Sequence, residues 1–197
     1  MARRKGFDFD SYKIRDKTVL RQKLNLDVRK SLLIYVGNLV SWKGLPNIID
    51  NFNTLDKSKF DLIIISADKS KNKLYEKIER SKAIFLGYKP NRKVLEYIAA
   101  SDIYIMVLTD PEKRAFAGFG GAPLEALSQG IPIISTQIPH FPGPSKYQKY
   151  LGLVPKNINS FQSEILSILN NPKKYSLTHQ ISKKSNPNST FLISPNL

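Results

Sequence analysis

Residues 32–39 read Leu-Leu-Ile-Tyr-Val-Gly-Asn-Leu, and residues 61–66 read Asp-Leu-Ile-Ile-Ile-Ser. Each stretch holds an unbroken apolar run without the alternation of polar and apolar residues that marks a half-exposed strand. Continuous runs of this length are typical of strands that are buried on both faces, as in a parallel sheet covered by helices. The two stretches therefore predict a buried parallel sheet at the centre of the fold.

The rest of the chain alternates between similar runs and helical patterns. Further strands are predicted at residues 83–87, 103–108, 131–136 and 151–155, and helices at residues 45–55, 74–80, 91–100, 123–129 and 161–169. Asn91 is a predicted helix N-cap, and Gly130 is predicted to follow a helix end. The alternation predicts an α/β fold, a Rossmann-like, doubly wound parallel sheet, over residues 1–172. Residues 173–197 lack a long period and are predicted to form an irregular tail.

Composition limits the kinds of site that the chain can carry. It has no cysteine and two histidines, so neither a disulfide nor a zinc constellation can be proposed. Its apolar runs are far shorter than the roughly 20 residues of a membrane-spanning helix. The first residues lack the apolar stretch of a signal peptide. We expect a cytoplasmic protein that uses neither a metal nor another cofactor.

The chain is strongly basic, with 31 Lys and Arg against 16 Asp and Glu and a net charge of +15. The excess is concentrated toward the two ends. Such a surface attracts phosphates, nucleic acid or the anionic inner face of a membrane. A solvated basic surface without a specific partner explains the charge equally well. Peripheral attachment to a membrane therefore stays open, and nucleic acid is the less expected partner.

The first loop that could carry chemistry follows the first predicted strand, where residues 37–44 read Gly-Asn-Leu-Val-Ser-Trp-Lys-Gly. Gly37 is expected to permit a tight turn. Gly44 stands beside a helix N-terminus, where free N–H groups and the helix dipole favour a phosphate, and Lys43 adds a positive charge. The pattern predicts a diphosphate clamp. Taken alone, it also fits an ordinary strand-to-helix turn with a surface lysine.

The second loop lies before a later helix, where residues 116–127 read Phe-Ala-Gly-Phe-Gly-Gly-Ala-Pro-Leu-Glu-Ala-Leu. Its glycines precede a helix predicted to start near Pro123, so backbone N–H groups could face an anion. Glu125 falls in the predicted first turn. A carboxylate there either stabilises the helix through its dipole or accepts hydrogen bonds from a ribose diol.

Together, the two loops resemble the C-terminal, donor-binding domain of glycosyltransferase family 4, one half of a GT-B enzyme. Donor domains of that family read GRL…KG after their first strand and EGFG…PLEA before a later helix, followed by G-x-P-V-I-x-T. This chain reads GNLVSWKG and GFGGAPLEALSQGIPIIST. The segments FLGY at 85–88, VLEYIAASDIYI at 94–105 and GFDFDSY at 6–12 are also similar. The resemblance covers roughly residues 6–170.

The resemblance implies a retaining, metal-independent hexosyltransferase that uses a nucleotide sugar such as a UDP- or GDP-sugar. Lys43 would then neutralise the leaving diphosphate, the N–H groups of Gly120 and Gly121 would meet phosphate or sugar, and Glu125 would bind the ribose hydroxyls. It also implies donor-binding roles for Gly37, Asn38, Gly44, Gly87, Gly118, Phe119 and Leu124. No catalytic residue is assigned.

Three departures from the family qualify the activity. Asn38 stands where the family has an arginine, which removes a bidentate phosphate donor. Ala117 stands where the family has a glutamate that meets the donor sugar. The 197 residues do not include an acceptor domain, so we expect that the polypeptide alone does not transfer sugar and needs an acceptor domain or subunit. Asn38 and Ala117 keep open a second function, a non-catalytic nucleotide-binding or interaction module. A basic nucleic-acid-binding protein is a third.

Overall fold

The computed structural model describes residues 15–67, 73–110, 112–113, 120–136, 151–153 and 161–172. The strands are β1 Ser31–Val36, β2 Phe60–Ile65, β3 Ile84–Gly87, β4 Ile103–Met106, β5 Ile133–Ser135 and β6 Leu151–Leu153. The α-helices are α1 Lys17–Lys23, α2 Leu45–Thr54, α3 Lys73–Arg80, α4 Asn91–Ala100, α5 Gly121–Ser128 and α6 Phe161–Asn170.

The strands form one sheet in the order β3-β2-β1-β4-β5-β6, and every neighbouring pair is parallel. Chain order therefore runs outward from β1 in one direction and outward from β4 in the other. This is the arrangement of a Rossmann-like, doubly wound sheet. The predicted fold class is confirmed.

Helices cover both faces of the sheet, which explains the unbroken apolar runs. Leu33 and Tyr35 of β1 pack in one core cluster with residues of α2, α3 and α6. Leu32 and Ile34 pack in a second cluster with residues of α4 and α5. Successive side chains of a strand point to opposite faces, so a strand with helices on both sides needs apolar residues at every position.

Helix α1 was not predicted, because its apolar contact is small: Leu20 packs against Ala99 and Ala100 of α4, and ion pairs supply the rest of its attachment. Arg21 is 6% exposed. Its Nε donates to the carbonyl of Ala100 at 2.8 Å, and its Nη2 lies 2.6 Å from Oδ2 of Asp102. Asp102 also accepts from Lys17 Nζ at 2.8 Å and from the Leu32 N–H at 2.7 Å. One carboxylate therefore joins α1 to the starts of β1 and β4.

Several predicted boundaries are wrong by a few residues. Strand β1 ends at Val36, because Leu39 is apolar for a different reason: it is 2% exposed and fills the core beneath the following loop. Helix α4 has Pro90 as its N-cap, whose carbonyl accepts from the fourth helical residue Val94 at 3.1 Å, so Asn91 is the first helical residue and not the cap. Gly130 follows the end of α5 with φ 72°, as predicted.

Helix α5 begins at Gly121, two residues before the predicted start. Pro123 is thus the third helical residue. It fits there because the first N–H groups of a helix have no intrahelical acceptor, so a missing N–H loses no bond.

No helix in the described ranges is long and apolar enough to cross a membrane. The predicted tail at residues 173–197 lies outside the described residues, and so do 1–14 of the predicted domain.

Candidate functional site

The strand order of the sheet reverses between β1 and β4. These strands are neighbours, with Leu33 paired to Ile103 and Ile34 to Tyr104. The chain leaving β1 enters α2 on one face of the sheet, and α5 lies on the other face. Connections that leave neighbouring strands toward opposite faces open a crevice at the carboxyl edge, and ligands of such sheets bind there. The first motif loop and the described end of the second, from Gly120 onward, belong to this edge.

The first loop is fastened to the segment that follows β4. Gly44, the N-cap of α2, has φ 68°, and a Cβ added to it would lie 2.0 Å from the carbonyl oxygen of Val107. The N–H of Thr109 donates to the carbonyl of Trp42 at 2.9 Å. Only a glycine allows this approach. The position of Lys43, immediately before Gly44, is therefore fixed relative to β4.

Gly37 lies where the chain bends, has no positive φ, and leaves little space for a side chain. A tight turn often requires a glycine with positive φ. Gly44, Gly87, Gly120 and Gly130 have a positive φ, and Gly37 does not. A Cβ at Gly37 would lie 3.1 Å from Tyr35 Oη and 3.7 Å from Lys43 Cδ. The stem of Lys43 thus runs close to Gly37. Its Nζ lies 5.5 Å from the centre of the Trp42 ring, in a cation–π contact.

Asn38 lies on the exposed side of the first loop. Its backbone carbonyl accepts hydrogen bonds from Tyr35 Oη at 2.8 Å and from the Val40 N–H at 2.9 Å. The loop therefore depends on the backbone of residue 38, and the side chain is open to solvent.

The second loop ends in an exposed helix start. Gly120 is the N-cap of α5 with φ 74°, and Gly120 and Gly121 are both exposed. The N–H groups of Gly121 and Ala122 fall in the first turn, where no helical carbonyl can accept them. Within the described residues neither N–H group has an acceptor, so an anion at this end of the helix would find two donors and the positive end of the helix dipole.

Glu125 lies in the second turn of α5 and not in the first, because the helix begins at Gly121. The dipole effect falls off beyond the first turn, so the purely stabilising interpretation of Glu125 loses its basis. The side chain is half-buried, and burial raises the pKa of its carboxyl. Among the described residues, Glu125 forms no ion pair, so a carboxylate kept partly out of water here fits a group that binds a hydrogen-bond donor of a ligand.

Tyr104 joins the two loops. It is 1% exposed, and its hydroxyl donates to the carbonyl of Val36 at 3.1 Å, immediately before Gly37. Burial raises the pKa of Tyr104, and the charges of Tyr35 and Glu125 raise it further. Glu125 therefore lies near the phenol that holds the start of the first loop. The structure brings Lys43 and Glu125 to the same edge of the sheet, one on each side of the residues that end β1.

Two predicted residues, Gly87 and Leu124, lie away from the two loops. Gly87 ends β3, two strands away from β1 and thus about 10 Å from it. Leu124 is 8% exposed, and its side chain packs in the second core cluster. Gly118 and Phe119, like Ala117, lie outside the described residues. The predicted residues at the crevice edge are Gly37, Asn38, Lys43, Gly44, Gly120, Gly121 and Glu125. Gly87 lies about 10 Å away along the edge.

Four residues of this edge were not predicted from the sequence: Tyr35, Tyr104, Val107 and Thr109. A signal was available for the tyrosines. A phenol in an otherwise aliphatic buried strand must find a partner for its hydroxyl, and the nearest unpaired carbonyls are those of a strand end. No such signal marks Val107 and Thr109, which act through their backbones.

The described residues contain no group of three or more acidic or histidine side chains able to hold a metal ion. What this edge offers is one lysine, the free N–H groups of α5 and one half-buried carboxylate. These groups suit a ligand that carries an anion at one point and hydroxyl donors at another.

The chain is similar to known glycosyltransferases. Residues 16–185 match the family described as glycosyl transferases group 1. The putative teichuronic acid biosynthesis glycosyltransferase TuaC of Bacillus subtilis is 26% identical over 122 residues, which are 62% of this chain and 28% of that protein. The chain spans about a third of the length of the curated relatives it matches.

Two solved structures share the fold. HepE of Anabaena in complex with UDP-glucose superposes with a TM-score of 0.68 at 22% identity, covering 91% of this chain and 51% of HepE. The C-terminal domain of the group 1 glycosyl transferase LpcC of Francisella tularensis superposes with a TM-score of 0.67 at 18% identity, covering 91% of this chain and 98% of that domain. With a family match over most of its length, this chain belongs to the glycosyl transferases group 1 family.

Proposed function

We propose that this chain is the C-terminal donor-binding domain of a family 4 glycosyltransferase and holds the diphosphate and ribose of a UDP- or GDP-sugar. The observation that carries the proposal is the placement of Lys43 and Glu125 at one edge of the sheet, linked through Gly37 and Tyr104. A likeness to HepE, solved with UDP-glucose, supports the nucleotide sugar as ligand.

Each group has a distinct role in this proposal. The ammonium of Lys43 neutralises the diphosphate as it leaves. The N–H groups at Gly121 and Ala122 stabilise negative charge on phosphate or sugar oxygens, aided by the helix dipole. The carboxylate of Glu125 accepts hydrogen bonds from both hydroxyls of the ribose. Because these donors and acceptors are fixed before the ligand arrives, they lose little energy to reorganisation.

Sugar transfer itself requires an acceptor domain, on another chain or on a longer parent. The near-complete match to a separate C-terminal domain supports this placement, with residues 1–172 as the donor domain. Together the halves would transfer a hexose with retention and without a metal. The net charge of +15 favours a cytoplasmic location next to an anionic membrane surface.

Calorimetric titration with UDP, GDP, ADP and their sugars tests the proposal. Saturable binding of one diphosphate is expected, and Lys43→Ala should weaken it about 10- to 100-fold because a charge-assisted contact contributes about 1.5–3 kcal/mol. Lys59→Ala is the matched control, since Lys59 is an exposed lysine at the start of β2, on the opposite edge of the sheet. Equal losses in the two variants would refute the assigned clamp.

A non-catalytic module remains the second candidate, favoured by Asn38 and Ala117 at positions where the resembling family carries charged residues. Absence of binding to every nucleotide diphosphate would favour it. Binding to a nucleic-acid duplex that weakens steeply with salt would instead identify a basic nucleic-acid-binding protein.

A further inference from the structure

Two buried tyrosines donate hydrogen bonds from their hydroxyls to the same short segment of backbone. Tyr35 is 3% exposed and donates from its hydroxyl to the carbonyl of Asn38 at 2.8 Å. Tyr104 is 1% exposed and donates to the carbonyl of Val36 at 3.1 Å. The residue between the two acceptors is Gly37. Both phenols therefore bond the segment where β1 becomes the first loop.

The two tyrosines reach this segment from opposite faces of the sheet. Tyr35 packs in the cluster that contains α2, and Tyr104 packs in the cluster that contains α5. The backbone of residues 36–38 is thus held between one hydroxyl from each face. A hold from both sides restricts movement of the loop along the sheet normal, which neither bond alone would do.

Core packing by itself does not explain these phenols. Burying a hydroxyl is unfavourable unless it forms a hydrogen bond, and phenylalanine would fill the same space without that requirement. Here both hydroxyls find acceptors within three consecutive residues. The choice of tyrosine at both positions is explained if the position of the loop, rather than the volume of the core, is what they determine.

The same contacts extend to both ends of the candidate site. A Cβ added to Gly37 would lie 3.1 Å from Tyr35 Oη and 3.7 Å from Lys43 Cδ, so the tyrosine hydroxyl and the lysine stem flank the same position. On the other face, the charge of Glu125 acts on the Tyr104 phenol. A shift of either ring would therefore move the lysine stem or the surroundings of the carboxylate.

We infer that Tyr35 and Tyr104 are positioning residues of the donor site, which hold the first loop from both faces and so set the separation of Lys43 and Glu125. The expected effect of these tyrosines on ligand binding rests on the proposed function. Their expected effect on the mobility of the first loop does not depend on it.

The test uses the full 197-residue chain with Tyr35→Phe, Tyr104→Phe and the double variant. Each substitution keeps the ring and removes one hydroxyl. Tyr97→Phe is the matched control, because Tyr97 lies in the second half of α4, toward the opposite edge of the sheet. Urea unfolding of all variants measures any general loss of stability.

Amide hydrogen exchange measures the loop without any ligand. The N–H groups of Val40, Lys43 and Gly44 all form hydrogen bonds within the loop, and that of Leu33 in β1 serves as the reference for global opening. Each tyrosine variant should speed exchange at the loop amides about fivefold relative to Leu33, the factor expected for one lost hydrogen bond. Exchange that rises equally at Leu33 and the loop, or not at all, overturns the inference.

Titration with UDP and GDP measures the consequence for the site. Each tyrosine variant should bind the preferred diphosphate about fivefold more weakly, and combining Tyr104→Phe with Lys43→Ala should give less than the product of the separate losses, because both act on one contact. Unchanged affinity in the tyrosine variants, with a wild-type chain that binds, overturns the positioning role. A wild-type chain that binds no diphosphate refutes the proposed function instead, and the exchange data still decide whether the tyrosines hold the loop.

Discussion

The fixed contact between the two loops can be tested with a pair of glycine-to-alanine substitutions. Gly44 and Gly87 have nearly equal φ angles, 68° and 63°. They differ in their surroundings: an added Cβ meets Val107 O at 2.0 Å in the first case and nothing within 4 Å in the second. Comparison of Gly44→Ala with Gly87→Ala therefore separates the effect of the contact from the effect of the left-handed conformation.

The expected magnitudes follow from these distances. Both variants place an alanine in the left-handed region, which destabilises the native state by about 1–2 kcal/mol. In Gly44→Ala the loop must also move by more than 1 Å, since real Cβ atoms essentially never lie within 3.0 Å of such an atom. That movement adds about 1–3 kcal/mol of overpacking and strains the bond from Thr109 to Trp42, which contributes about 1 kcal/mol. We expect losses of about 3–6 kcal/mol for Gly44→Ala against about 1–2 kcal/mol for Gly87→Ala.

Urea unfolding followed by circular dichroism measures both free energies of unfolding. If Gly44→Ala does not fold, its midpoint is below the measurable range while that of Gly87→Ala is not, which agrees with the expected order. Free energies of unfolding that agree within about 1 kcal/mol for the two variants would refute the reasoning, because the contact with Val107 would then contribute nothing.

Three further predictions concern single side chains. Burial raises the pKa of Glu125, so the stabilising contribution of its protonated form is full below the ordinary glutamate pKa and is lost as pH rises through the raised pKa. Glu125→Gln should therefore be more stable to urea than the wild type at pH 7, and it should bind UDP or GDP more weakly. A loss of stability at pH 7 would contradict this. Burial acts to raise the pKa of Asp102, but Lys17, the Leu32 N–H and Arg21 together lower it below its usual value, so its contribution to stability is present above the ordinary aspartate pKa and is lost as pH falls through the lowered one. Asp102→Asn should lose about 3 kcal/mol at pH 7 and less at pH 3 in urea unfolding, and an equal loss at both values would exclude the ion pairs as its cause. Asn38→Arg should tighten diphosphate binding about tenfold by calorimetry, since a guanidinium adds a bidentate phosphate contact, and no gain would place the side chain of residue 38 away from the phosphates.

Part of the fold was predictable from local stretches of the sequence. The strands β1 and β2 were predictable because burial on both faces demands apolar residues at every position, and that demand is visible in the run from Leu62 to Ile65. Helix α1 gave no such signal, since its attachment through Arg21 and Asp102 joins residues 81 positions apart. The predicted start of α5 was two residues late, because a proline fits anywhere in the first turn and Pro123 therefore does not mark the first helical residue.

The sequence by itself determined the fold class and the position of the two motif loops along the chain, because apolar periodicity, glycine and charge are properties of single segments. Only the tertiary structure decided that the loops share one edge of the sheet, that the chain bends at Gly37 without a positive φ, and that Tyr35 and Tyr104 hold the backbone between them. The physical reason is that strand order is set by how helices pack on both faces of the whole sheet. That packing creates contacts between side chains and carbonyls of distant segments, which cannot be predicted from any one segment alone.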